Sequence, residues 1–217
     1  MTHTSLLDLL FPVKCAFCGR VCSRGVCEAC ERTLPRTELP LREGKGYGRC
    51  AVPLKYEGPV REALLRYKFH GGRGAAVGFG RLLGQCAAEE LGGAFDTVTY
   101  APASAKRRAA RGYDQAYLLA RETARHWDAE PLTLLRKTRD NPPQSGLDAA
   151  ARRGNVVGAY EACDPEKTEG KRVLLIDDVL TTGSTLSECV RVLRGAGAAE
   201  VVCACLAAAT VESDQAR

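Results

Sequence analysis

The sequence predicts an α/β protein: a mostly parallel sheet with helices on both faces, preceded by a small cysteine-rich module. Three observations carry this. The run Val173-Leu174-Leu175-Ile176 is apolar throughout, as in a strand buried on both faces of a parallel sheet. Leu186, Cys189, Val190 and Leu193 follow at helical spacing, which makes strand, loop and helix one unit. Near the N-terminus, Cys15-x-x-Cys18 and Cys27-x-x-Cys30 form two paired turns with eight residues between them.

The chemistry concentrates between that strand and that helix. Asp177 and Asp178 stand at the strand's carboxyl end, and Thr181-Thr182-Gly183-Ser184-Thr185 leads into the helix. A helix start leaves backbone N–H groups unpaired and carries partial positive charge, so it attracts a phosphate. Gly183 lets the backbone come close, and the four hydroxyls add donors. The two carboxylates repel a phosphate, but they suit sugar hydroxyls or a hydrated Mg²⁺ on the same ligand. A molecule with both a phosphate and a ribose diol fits this order of groups. The spacings of a P-loop and of a dinucleotide fingerprint are both absent here.

Length and composition set the frame. A chain of 217 residues, 45% hydrophobic, can bury one substantial core with a small appendage. Its formal charge of +5 is unevenly spread: residues 103–125 carry six Lys/Arg against two acids, and 136–153 carry five against two. A focused basic patch suits a polyanion, whether pyrophosphate or nucleic acid. Of the eleven cysteines, five crowd into residues 15–30. Without a signal peptide or a run long enough to span a membrane, a reducing, cytoplasmic setting is expected, which favours metal ligation over disulfides.

In chain order, residues 4–11 read as a short helix stopped by Pro12. The thiolates of Cys15, Cys18, Cys27 and Cys30 make a closed tetrahedral set, expected to hold a structural zinc with no open position for catalysis. Cys22 is a spare able to replace a ligand. Roughly twenty residues cannot fold on a core of their own, so the metal is expected to supply the stability. The expected organisation is a short helix plus ribbon over 1–35, a linker over 36–50, the main domain over 51–210 and a tail over 211–217. Within the main domain, 51–56 reads as a strand, the stretch from Val60 to an end near His70-Gly71-Gly72 and the stretch 74–91 as helices, and 95–101 as a sheet strand. Pro102 then opens a loop holding Lys106, Arg107, Arg108 and Arg111, before a helix faced by Tyr113, Ala116, Tyr117, Ala120, Ala124 and Trp127. A short strand over 131–135 precedes a long segment, 136–154, of the kind that is usually functional. Residues 200–206 form a buried closing strand, with Cys203 and Cys205 as core thiols.

Val173 to Thr185 resembles the phosphoribosyl pyrophosphate (PRPP) motif of type I phosphoribosyltransferases. The chain from Cys15 to Leu206 resembles the competence-associated ComF family, a phosphoribosyltransferase-like group with a zinc-ribbon front end. The match rests on the paired cysteines, on Tyr67-Lys68-Phe69, and on Arg107, Arg108 and Arg111-Gly112-Tyr113-Asp114-Gln115, where Asp114 replaces the family's usual Asn. It rests also on Gln144, Leu147, Arg152, Asn155 and Tyr160. The resemblance implies that Asp177, Asp178 and Arg111 act on Mg²⁺-bound PRPP, with its 5′-phosphate on Thr181–Thr185. It makes Arg107, Arg108, Lys68, Gln144 and Arg152 candidates for the pyrophosphate or for a lid over 136–154. The functions implied are handling of single-stranded DNA during natural transformation with other competence proteins, salvage transfer onto a free base, or nucleic-acid binding without catalysis. No general base and no acceptor is identifiable.

Overall fold

The computed structural model describes residues 12–69, 71–139 and 156–209. The expected helix over 4–11, His70, Gln144, Leu147, Arg152, Asn155 and most of the expected lid lie outside them. The elements in order are α1 (Glu28–Thr33), β1 (Leu41–Gly44), β2 (Gly48–Ala51), β3 (Leu54–Lys55), α2 (Gly58–Phe69), α3 (Ala75–Leu91), β4 (Thr97–Tyr100), α4 (Ala105–Arg111) and α5 (Gln115–Ala124). A 3-10 turn (Arg125–Trp127), β5 (Leu135–Lys137), β6 (Tyr160–Ala162), β7 (Arg172–Leu180), α6 (Ser184–Gly195) and β8 (Glu200–Ala208) complete the chain.

The main sheet runs β1-β2-β8-β7-β4, with β3 also paired to β8. All its pairings are parallel except the β1–β2 hairpin. The two long strands, β7 and β8, are its centre, and their side chains divide between two cores as the strand period requires. Leu174, Ile176, Val202, Ala204 and Leu206 face one core, filled from outside by α2, α3 and α5. Val173, Leu175, Val201, Cys203 and Cys205 face the other, closed by Leu186, Cys189, Val190 and Leu193 of α6. These four are the residues that the helical periodicity selects, and Cys203 and Cys205 are completely buried core thiols.

Several elements depart from the expected ones, each for a local reason. β7 does not stop before the acidic pair; it continues through Asp177 and Asp178 to Leu180, because Val179 and Leu180 still pair with β8. The expected strand over 51–56 is split into β2 and β3 by Pro53, which has no N–H for a ladder. The stretch 36–50, read as a linker, contains β1 and most of β2, and it extends the sheet through the parallel β2–β8 pairing. The basic loop after Pro102 is wound into α4, capped by the Ser104 hydroxyl, which accepts from the Arg107 N–H. The strand expected over 131–135 lies instead at β5, which takes in Arg136 and Lys137 from the start of the expected lid and pairs antiparallel with β6.

The cysteine-rich module docks on the main core. Cys15, Ala16, Phe17 and Val26 belong to the same apolar cluster as α2 and α3, and Phe17 meets Phe79 edge-on at 5.6 Å. Gly25 and Gly78 touch backbone to backbone: a Cβ on Gly78 would lie 2.1 Å from the Gly25 carbonyl oxygen. Neither position has room for a side chain. The module therefore draws stability from shared apolar burial as well as from any metal.

Candidate functional site

Four elements converge at the carboxyl end of β7, which is where ligands bind in open α/β sheets. β7 itself brings Asp177 and Asp178. The turn Thr181-Thr182-Gly183 carries the chain into α6; Gly183 is the N-cap with φ +73°, a left-handed conformation that favours glycine. The Ser184 N–H donates to the Thr182 hydroxyl at 3.4 Å, and the two hydroxyls lie 2.7 Å apart. Thr181 and Thr182 are thus in the turn, while Ser184 and Thr185 already belong to the first turn of α6. From the far side come the end of α2, with Lys68, and the end of α4, with Arg111.

Lys68 reaches directly onto the acidic pair. Its Nζ lies 2.8 Å from Asp178 Oδ1, with the side chains 22% and 9% exposed. Burial would lower the lysine's affinity for its proton, but the Asp178 carboxylate outweighs it and holds Lys68 above its usual range. Asp177 accepts the Asp178 N–H at 2.8 Å. Burial first, and then the neighbouring Asp178 charge, push the Asp177 carboxyl up to about 7. Arg111 is lowered by burial and supported in its charged form by Asp178. Its guanidinium lies over the Phe69 ring, 5.1 Å from the centroid.

The remaining sequence candidates divide. Arg107 and Arg108 lie on α4; the charge of Arg107 bears on Arg111, and that of Arg108 on Asp114. Asp114, the departure from the family's Asn, is a helix cap. It accepts from the N–H groups of Ala116, Tyr117 and Ala103 at 3.1, 3.3 and 3.0 Å, so its oxygens are directed at backbone donors rather than at a ligand. Cys15, Cys18, Cys27 and Cys30 do come together, with every sulfur within 4.8 Å of the others. Arg20 beside Cys18 holds that thiol down to about 6, toward the thiolate that metal ligation needs. Cys22 stands outside the group.

Sequence reasoning missed two aromatic residues. Tyr47, in the turn of the β1–β2 hairpin, lies against the phosphate-type loop; a Cβ on Gly183 would come 2.4 Å from its ring. The only signal was Gly44-Lys45-Gly46-Tyr47-Gly48, an aromatic among glycines. Phe69, part of the Tyr67-Lys68-Phe69 match but not among the expected site residues, is 61% exposed at the site's rim.

The raised Asp177 has a measurable consequence. Because its carboxyl holds its proton more tightly when folded, the stability it lends is full in acid, below the ordinary carboxylate value, and is lost as pH rises toward 7. Asp177→Asn should remove that slope. Thermal melts in Mg²⁺-free buffer should show the variant about 3 °C more stable than wild type at pH 8 and close to it at pH 4; parallel curves across this range would contradict the assignment.

Residues 112–215 match the family model of the phosphoribosyl transferase domain. The chain is 28% identical over 207 residues to DNA utilization protein YhgH of Escherichia coli, covering 88% of this chain and 89% of that one. It is 30% identical over 191 residues to competence protein ComFC of Bacillus subtilis, covering 87% and 74%. Competence protein F of Haemophilus influenzae is 39% identical over 93 residues, 42% and 41% of the two chains. Among solved structures, glutamine PRPP amidotransferase from B. subtilis, complexed with ADP and GMP, aligns with a TM-score of 0.44 at 24% identity, over 65% of this chain and 30% of that one. With the Escherichia coli and Bacillus subtilis relatives covering 88% and 87% of it, and with the four-cysteine cluster in front, the chain belongs to the ComF/YhgH family and carries a phosphoribosyltransferase domain.

Proposed function

We propose that the site at the end of β7 binds PRPP with Mg²⁺, and that the protein acts in handling single-stranded DNA during natural transformation. One observation carries the first part. Asp177 and Asp178 end the central strand, and the Thr181–Thr185 segment opens α6 directly beside them, with Arg111 on the opposite side. In this reading the 5′-phosphate takes the N–H groups and hydroxyls at the start of α6. The ribose diol takes the carboxylates, and the pyrophosphate lies toward Arg111, with Arg107 and Arg108 behind it. Carboxylate oxygens suit a hard divalent cation, and Asp178 already holds a cationic group, the Lys68 ammonium, at hydrogen-bond distance. Such a cation, when bound, neutralises charge on the pyrophosphate; the chain's own part is to orient the ribose and stabilise leaving charge through Arg111.

Whether the phosphoribosyl group is transferred depends on an acceptor, which fits an enzyme of the pentosyltransferase type. Calorimetry with PRPP and Mg²⁺ tests the binding step: wild type should bind, and Asp178→Asn should weaken binding by about tenfold or more. No heat from wild type would remove the reading.

The DNA part is supported by the names of the relatives, DNA utilization protein and competence protein. It is supported too by the basic helix α4, where Lys106 and Arg108 are exposed. Affinity for a single-stranded oligonucleotide should fall steeply with added salt. It should weaken when Arg107, Arg108 and Arg111 are replaced together by alanine; salt-insensitive binding would count against this role.

For the cysteine cluster the reading is a structural zinc. Tetrahedral Zn–S bonds of ~2.3 Å place sulfurs about 3.8 Å apart, and Cys18 Sγ lies 3.7 Å from Cys27 Sγ. Elemental analysis should find about one zinc per chain, lost in Cys27→Ser together with a lowered melting temperature. A metal-free wild type of unchanged stability would refute it.

A further inference from the structure

We propose that Lys68 is a built-in cation that occupies Asp178 in the free protein and must be displaced before a divalent cation can use that carboxylate. The site is thereby set to refuse a bare metal ion and to accept one that arrives with a polyanion. This goes beyond the PRPP reading by assigning a gate to the same site, and it rests on that reading only for the identity of the polyanion.

The argument begins with the position of the ammonium. At 2.8 Å from Asp178 Oδ1, Lys68 Nζ fills the first contact shell of that oxygen, where a metal or its water would have to sit. Asp178 is buried, so little solvent screens the pair, and a second cation brought to the same carboxylate meets the ammonium at close range.

Lys68 is also held where it is. It lies in the last turn of α2 between two residues that are themselves anchored across the site. The Tyr67 hydroxyl donates to the Gln115 carbonyl at 2.6 Å, and the Tyr113 hydroxyl donates to the Tyr67 carbonyl. On the other side, Phe69 underlies the Arg111 guanidinium. Three consecutive residues thus grip the start of α5, the acidic strand and the end of α4. A lysine positioned so firmly costs little further ordering to keep its carboxylate occupied.

Release needs compensation. An ammonium pulled away from Asp178 into a partly dry site requires another anion. A ligand carrying several phosphate charges supplies one at the same moment that its accompanying metal takes Asp178. Metal and polyanion therefore help one another to bind, and by linkage the help is reciprocal.

The test uses Mn²⁺ alone, followed by the electron-paramagnetic resonance of the free ion, on full-length protein whose cysteine cluster is zinc-loaded. Wild type should bind Mn²⁺ weakly. Lys68→Met should bind it about tenfold tighter or more, while Lys68→Arg, which keeps the charge, should stay within about threefold of wild type. Adding Asp178→Asn to Lys68→Met should abolish the gain. Lys68→Gln provides a second neutral variant should Lys68→Met fail to show the wild-type circular dichroism and melting profile. Equal Mn²⁺ affinity in wild type and the neutral variants, or a gain that survives Asp178→Asn, would overturn the proposal. A Mn²⁺ gain without any PRPP binding by wild type would support the gate and remove the PRPP reading, so the two fail separately.

Discussion

The central constraint is that β7 ends in two carboxylates while it is still inside the sheet. Pairing with β8 continues through Val179 and Leu180, so Asp177 and Asp178 cannot escape into a solvated loop. A buried carboxylate must be neutralised, paired or hydrogen-bonded. Here each takes a different course: Asp178 is paired with Lys68, and Asp177 tends toward its neutral form. The end of α2 is fixed by this need, since it is the element that delivers the ammonium. The structure thus keeps two carboxyl groups side by side at its centre by pairing one and holding the other toward its neutral form.

The opposite face of the site follows from a different necessity. In the phosphate reading the start of α6 stays open to present its N–H groups, while the loop before it is supported from the side. Tyr47 gives that support by lying against Gly183, and a side chain at position 183 would be excluded both by this ring and by the left-handed backbone. The β1–β2 hairpin is thus more than an extension of the sheet. It walls the loop that the phosphate reading depends on, and its pairing with β8 ties that wall to the same strand that supports β7.

How much of this could be read from the sequence depends on the range of the interactions. The parallel sheet, the β7–loop–α6 unit and the four clustering cysteines are local patterns, and periodicity or spacing specifies them directly. Leu186, Cys189, Val190 and Leu193 all proved to be core residues for that reason. The role of the hairpin was hidden because Gly, Pro and charge in residues 36–50 read locally as a connection, while its place in the sheet is decided by β8, some 150 residues away in the chain. The Lys68–Asp178 contact also joins residues far apart in the chain, and no local pattern announces which carboxylate a lysine meets. Asp114 shows the opposite case. An Asp just before a helical run is an ordinary cap signal, and the family comparison drew attention to the substitution while the local rule explained it.

The cysteine-rich module connects to the site through packing. Phe17 of the module meets Phe79, Phe79 meets Tyr67 at 5.4 Å, and Tyr67 meets Tyr113 at 6.1 Å, next to Arg111 and Gly112. Arg66, on the same helix as Lys68, donates to the Phe17 carbonyl at 2.6 Å. The surface on which the module docks is therefore the back of the helix whose last turn carries Tyr67, Lys68 and Phe69. A tightly packed interior transmits a loss of volume to its neighbours, so an intact module keeps α2 seated, and a seated α2 keeps the ammonium on Asp178. The four-cysteine cluster and the acidic pair thus share one mechanical support.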